Sequence, residues 1–132
     1  MIDIPEERIL KEITDILMND LPKVLLELEE QSEDSIRLPP FRYVGLEGNL
    51  PPGTPLPYAF VEIEEAEYTE KDRIVKNVRY RVRISVKVHH GKSVWYYLHA
   101  IQRSLQQNEE TGRVRITDKN SAGILSFTIL LQ

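Results

Sequence analysis

The sequence predicts one α+β domain over residues 1–132, a mostly antiparallel sheet with two helices packed on one face, in the order α-β-β-α-β-β. Three observations point there. Apolar residues recur at helical spacing over 5–30 and again over 94–107, while 78–90 alternates with a period of two. A proline-rich segment follows the first helix, and 132 residues suffice for one core and crowd two.

Pro5 suits a first helical position, with Glu6 and Glu7 near the positive end of the helix dipole. Ile9, Ile13, Ile16 and Leu17, then Leu21, Val24, Leu25 and Leu28, form one apolar stripe. Pro22 would cost about 3 kcal/mol inside a regular helix, so a kink or restart is expected there, capped by Asn19 or Asp20. Residues 31–57 hold six of the eight prolines and three of the six glycines, which predicts a loop or arm, with Phe41, Tyr43, Val44 and Leu46 able to dock a short strand.

Residues 58–68 read as a strand with Ala59, Val61 and Ile63 inward and Glu62 and Glu64 outward. A long polar turn, "TEKDRIVKN", leads to "NVRYRVRISVKVHH", where Val78, Tyr80, Val82, Ile84, Val86 and Val88 share one face. Arg79, Arg81, Arg83 and Lys87 share the other. Gly91 ends that strand and Ser93 caps a helix whose Val94, Leu98, Ile101 and Leu105 pack on the sheet, flanked by Tyr97. Trp95, His99 and Gln102 lie to the side, with Trp95 half exposed. Strands "RVRIT" and "GILSFTILLQ" close the chain. The last is apolar on both faces, with Ile124, Thr128 and Leu130 on one and Leu125, Phe127, Ile129 and Leu131 on the other, so it is central to the sheet or covered by a neighbouring subunit.

A stripe of four cations is unexpected in a chain of net charge −4 and pI near 5.4. It could meet a nucleic-acid backbone, an acidic partner, or water. Residues 1–70 carry 17 acidic and 5 basic side chains, net −12, and 71–132 carry 4 acidic and 12 basic, net +8. The halves either neutralise each other within the fold or make two faces of opposite sign that stack copies head to tail. Glu62 and Glu64 would lie across from arginines of the stripe, and two acids facing four cations leave a residual positive face.

Catalytic signatures are lacking. His89 and His90, adjacent in a strand, point apart and His99 is alone, so no shared metal ion is expected. Neither a nucleophile triad nor a glycine-rich phosphate loop is present, and "VEIEEAE" reads as a solvated strand face. Zero cysteines exclude disulfides and thiolate metal sites. No run suits a membrane span or signal peptide, which predicts a cytoplasmic protein without catalytic, metal or cofactor residues. The strand and helix order is also that of a double-stranded RNA-binding domain, whose basic cluster at the last helix is here only Lys92. This is the alternative reading, a small nucleic-acid-binding α+β module using the basic strand.

As a whole the chain resembles the tail-terminator and tail-completion proteins of long-tailed bacteriophages and their prophage relatives. The likeness lies in the opening helix with "LPKVLLELEE", the proline-rich stretch, "PYAFVEIEEAEYTE" leading to "NVRYRVRISVKVHH", the helix "SVWYYLHAIQRSLQQ" and the closing strands. That resemblance implies a structural head-tail joining protein that forms a homo-oligomeric ring, often a hexamer. The ring caps the tail tube, contacts tail-tube and head-completion proteins, and meets DNA only as it passes through the lumen. It implies residence in the bacterial cytoplasm during assembly and in the virion tail or neck afterwards. The expected subunit or partner interface is Arg79, Arg81, Arg83 and Lys87, which would face an adjacent subunit or the lumen, together with Trp95, Leu125, Phe127 and Ile129.

Overall fold

The structure, a computed structural model, describes residues 4–33, 35–71, 74–89, 91–108, 114–120 and 124–131; over 64–79 and from 114 onward the description is of the backbone. The first helical stretch runs as α1 (Pro5–Asp15), a π-helical turn (Ile16–Asp20) and α2 (Leu21–Gln31). Ile9, Ile13, Leu17, Leu21, Val24 and Leu25 of the expected stripe are buried, with Ile16 and Leu28 packed at its margin.

The restart at Pro22 takes the form of that π turn. The Leu21 N–H bonds to the Ile16 carbonyl, five residues back, which widens the backbone just ahead of a ring that would press on the Met18 carbonyl. Asp20 keeps helical dihedrals and caps nothing with its side chain, contrary to expectation. Its Oδ2 instead accepts from Asn108 Nδ2 at 3.3 Å, joining the start of α2 to the end of α3 (Gly91–Gln107). Further along, Arg103 and Glu27 pair at 3.1 Å, so α2 and α3 lie antiparallel.

Residues 35–57 form a loop laid on the body, where an arm over 31–57 was the other expectation. Leu38 and Phe41 are buried, Phe41 stacks on Tyr97 with ring centroids 5.1 Å apart, and the Tyr97 hydroxyl donates to the Pro39 carbonyl. Glu29 accepts the Leu38 N–H. The short strand is β1 (Val44–Gly45), held to the main sheet in parallel and steadied by Ala59 N–H to the Tyr43 carbonyl at 3.0 Å. Gly53, at φ +79°, allows the turn that the Thr54 N–H closes onto the Pro51 carbonyl.

The sheet has five strands in the order β1-β2-β3-β5-β4, with β2 at Tyr58–Lys71, β3 at Ile74–Lys87, β4 at Val114–Asn120 and β5 at Ile124–Leu131. All contacts after β1 are antiparallel. Ala59, Val61, Tyr80, Val82, Ile84 and Val86 turn to the helices, where Leu98, Ala100, Ile101 and Leu105 of α3 meet them in one core. Both helical stretches therefore pack on one face; the α+β class stands as expected and the element order in part, with β1 added and the first helix divided by the π turn.

Three boundaries differ. The strands extend into the expected polar turn as far as Lys71 pairing with Ile74, because a two-stranded ribbon can be polar on both faces and so carry no apolar alternation. The β3 strand ends at Lys87, so His89 lies beyond the strand and is exposed, and His90 lies outside the described residues. Helix α3 begins at Gly91, which leaves Ser93 buried within the first turn instead of capping it.

Candidate functional site

The surface opposite the helices is built by the alternate residues of β2 and β3, and its charges are arranged by register. Glu62 lies across from Arg83, and their side chains meet at 3.2 Å. A β-bulge then inserts Glu64, after which Glu65 falls opposite Arg81 and Glu67 opposite Arg79. The expectation that Glu64 would face an arginine is thus corrected, and so is the count of two acids. Three glutamates stand in register with three of the four cations, because the extra residue moves Glu67, in place of Ala66, across from Arg79. The fourth, Lys87, is exposed and lies opposite Tyr58. The side chains of Arg79, Glu65 and Glu67 lie outside the described residues.

Cross-strand pairs at the surface contribute fractions of a kcal/mol each. The Arg83 and Glu62 side chains are 40% and 60% exposed. Glu62→Ala is therefore expected to lower stability by less than about 1 kcal/mol in urea unfolding. A larger loss would mean that the ribbon depends on this pair.

Sequence reasoning missed an aromatic group beside these charges. Phe60 lies 5.3 Å from Tyr58 and 6.5 Å from Tyr43, ring to ring, and a concavity of ≈ 350 Å³ runs from Leu46 and Phe60 to Arg83, Ser85 and Lys87. The signal was available, since placing Ala59 and Val61 inward puts Tyr58 and Phe60 outward. On α3, Trp95 is 58% exposed and His99 is exposed, as expected of that flank. Ser85, Glu62 and Arg83 supply hydrogen-bonding groups at the concavity, and no set of three or more His, Asp or Glu that could hold a metal occurs among the described residues.

Leu125, Phe127 and Ile129 occupy register positions opposite Ile84, Val82 and Tyr80, all buried against the helices, and β5 lies between β3 and β4. Of the two explanations for a doubly apolar last strand, the topology provides a position inside the sheet. The side chains of these three residues lie outside the described ones.

Among the described residues, two edges of the sheet lack a further strand. Beyond Phe60, β2 has β3 as its one strand neighbour among the described residues, and β4 has β5 alone. No helix among the described residues is long and apolar enough to cross a membrane. Comparison with protein-family models and with curated proteins found no match to this chain.

Proposed function

We propose that the protein is a structural subunit of a phage or prophage tail or neck, a ring-forming tail terminator that caps the tail tube and joins it to the head. The observation that carries this reading is a sheet that, among the described residues, has no further strand at either edge of a single copy, one edge rich in acids and the other carrying bases. The order of elements that prompted the resemblance supports it. Self-association through backbone edges asks for no catalytic group, metal or cofactor, and its partners are copies of the chain, the tail tube and head-completion proteins. On this reading the protein works in the bacterial cytoplasm during assembly and in the virion afterwards.

The register changes the role given to the basic stripe. With glutamates across from Arg79, Arg81 and Arg83, that face presents mixed charge, which suits a protein contact better than a phosphate backbone. Exposed Trp95 remains a candidate contact with a neighbour.

Solution mass by light scattering, across a concentration series and with or without a short DNA duplex, tests the reading. A discrete oligomer near six subunits, indifferent to the duplex, is expected. A monomer that gains mass only with the duplex would replace it with the nucleic-acid-binding module, and salt should then weaken that complex steeply.

A further inference from the structure

We propose that copies of this chain join edge to edge, the open half of β2 in one copy pairing antiparallel with β4 of the next. The inference rests on the reading of the protein as a self-assembling ring, and it names the two surfaces that would close it. Three features of the sheet converge on this pairing.

The first is the unused backbone. The short β1 covers β2 only at Ala59 and Phe60, so Glu62–Lys71 presents its outer N–H and C=O groups with no strand beside it among the described residues. The 7 residues of β4 do the same on the far side, a row about 24 Å long at roughly 3.4 Å per residue. Open edges of this length are templates for another strand.

The second is direction. Antiparallel steps from β2 to β3, β3 to β5 and β5 to β4 leave β4 running opposite to β2. A second copy rotated into place beside β4 therefore offers its β2 antiparallel, and the alternation continues unbroken across the junction.

The third is sign. The open half of β2 carries Glu62, Glu64, Glu65, Glu67 and Glu70 against Lys71, whereas β4 carries Arg115 and Lys119 against Asp118. Acidic residues along an edge guard it against pairing with its own kind. That guard disfavours β2 against β2, the bases of β4 disfavour β4 against β4, and the pairing left is the one between unlike edges. Unlike edges make a heterologous contact, which closes into a ring or runs on as a filament.

A charge exchange between edges tests this. Glu64→Lys with Thr69→Lys and Glu70→Lys makes both edges of one variant net basic, four bases against three acids along β2, and Arg115→Glu with Lys119→Glu makes both edges of the other acidic. These positions spare the charge pairs that stand in register within the chain: Glu64 is the bulge residue, Thr69 lies across from Asn77, Glu70 from Val75, Arg115 from Thr128 and Lys119 from Leu125. Each variant alone is expected to run as a single chain by light scattering at concentrations where the unaltered protein assembles. Their equimolar mixture should regain the unaltered mass, because a closed ring with an even number of copies can alternate the two.

If the unaltered protein assembles and either variant does so alone, edge pairing is wrong and the ring reading stands. If the variants stay apart when mixed, edge pairing is also overturned, because complementary charge has failed to restore it. If the unaltered protein is monomeric at every concentration, both fall. Should a variant fail to melt cooperatively, Lys119→Glu alone, which leaves both edges acidic, is expected to run as a single chain, and its assembly would overturn edge pairing.

Discussion

Ile84→Lys is expected to unfold the protein. Ile84 is fully buried near the C-terminal end of β3, with Val61 across on β2 and Leu125 in register on β5. A lysine there must either hold an unpaired charge beneath the helices or give up its proton, and the cost is about 4 kcal/mol or more. Domains of this size are stable by roughly 5–15 kcal/mol, so most of the folded population would be lost. Ser85→Lys, one residue along and half exposed, turns to the outer face and is expected to cost less than about 1 kcal/mol. Urea midpoints of the two variants measure the difference. Equal midpoints would mean that the two faces of β3 are not the buried and the wet face described above.

Tyr97→Ala is the second large effect, about 3–5 kcal/mol by the scale of buried aromatic truncations. Tyr97 is buried in α3, stacked on Phe41, and its hydroxyl holds the Pro39 carbonyl, so one side chain ties the helix to the proline-rich loop. Tyr97→Phe keeps the ring and deserts the carbonyl, at about 1–2 kcal/mol. The phenylalanine variant also tests a pH effect. Burial, and after it the charge of Glu29, push the Tyr97 hydroxyl above the ordinary tyrosine value. An unfolded tyrosine loses its proton near pH 10, roughly, while the folded one keeps it, so above that pH the unfolded chain binds fewer protons and stability falls as pH rises. Below about pH 10 the contribution is fully present. Urea midpoints at about pH 8 and about pH 11 should therefore drop further for the unaltered protein than for Tyr97→Phe. Parallel losses would show that Tyr97 does not hold its proton in the fold.

The helices and the buried faces of β2 and β3 were legible because burial imposes a period. Ile9 to Leu28 and Tyr80 to Val86 carry that period in full, and each landed where it pointed. Features without a period were not legible. A bulge inserts one residue without altering the kinds of residue around it, so the placing of Glu65 and Glu67 across from Arg81 and Arg79 needed the register itself. Thr69 to Asn77 read as a turn because a two-stranded ribbon in water can be polar on both faces. Asp20 had the composition of a cap, but the helix runs through it and its carboxylate is taken by Asn108. The docking of the loop hid in Leu38 and Phe41, two apolar residues among prolines whose partners, Glu29 and Tyr97, are distant in sequence. As for the candidate surface, the chemical types on β3 were plain from the alternation, whereas their partners on β2 and the two free edges belong to topology, which no local spacing encodes.

The two residues of β1 also act as a spacer gauge. By occupying the rim of the sheet beside Ala59 and Phe60, they place a stop at one end of the vacant rim, and a strand arriving there must begin past it. Sliding along a rim is the ordinary failure of strand pairing, since backbone groups repeat and accept many alignments. A blunt end limits that sliding from one side. If copies pair edge to edge as proposed, the proline-rich loop that supplies β1 is in this sense a jig, and lengthening or loosening it would alter the pitch at which successive copies line up before it altered the fold of any one of them.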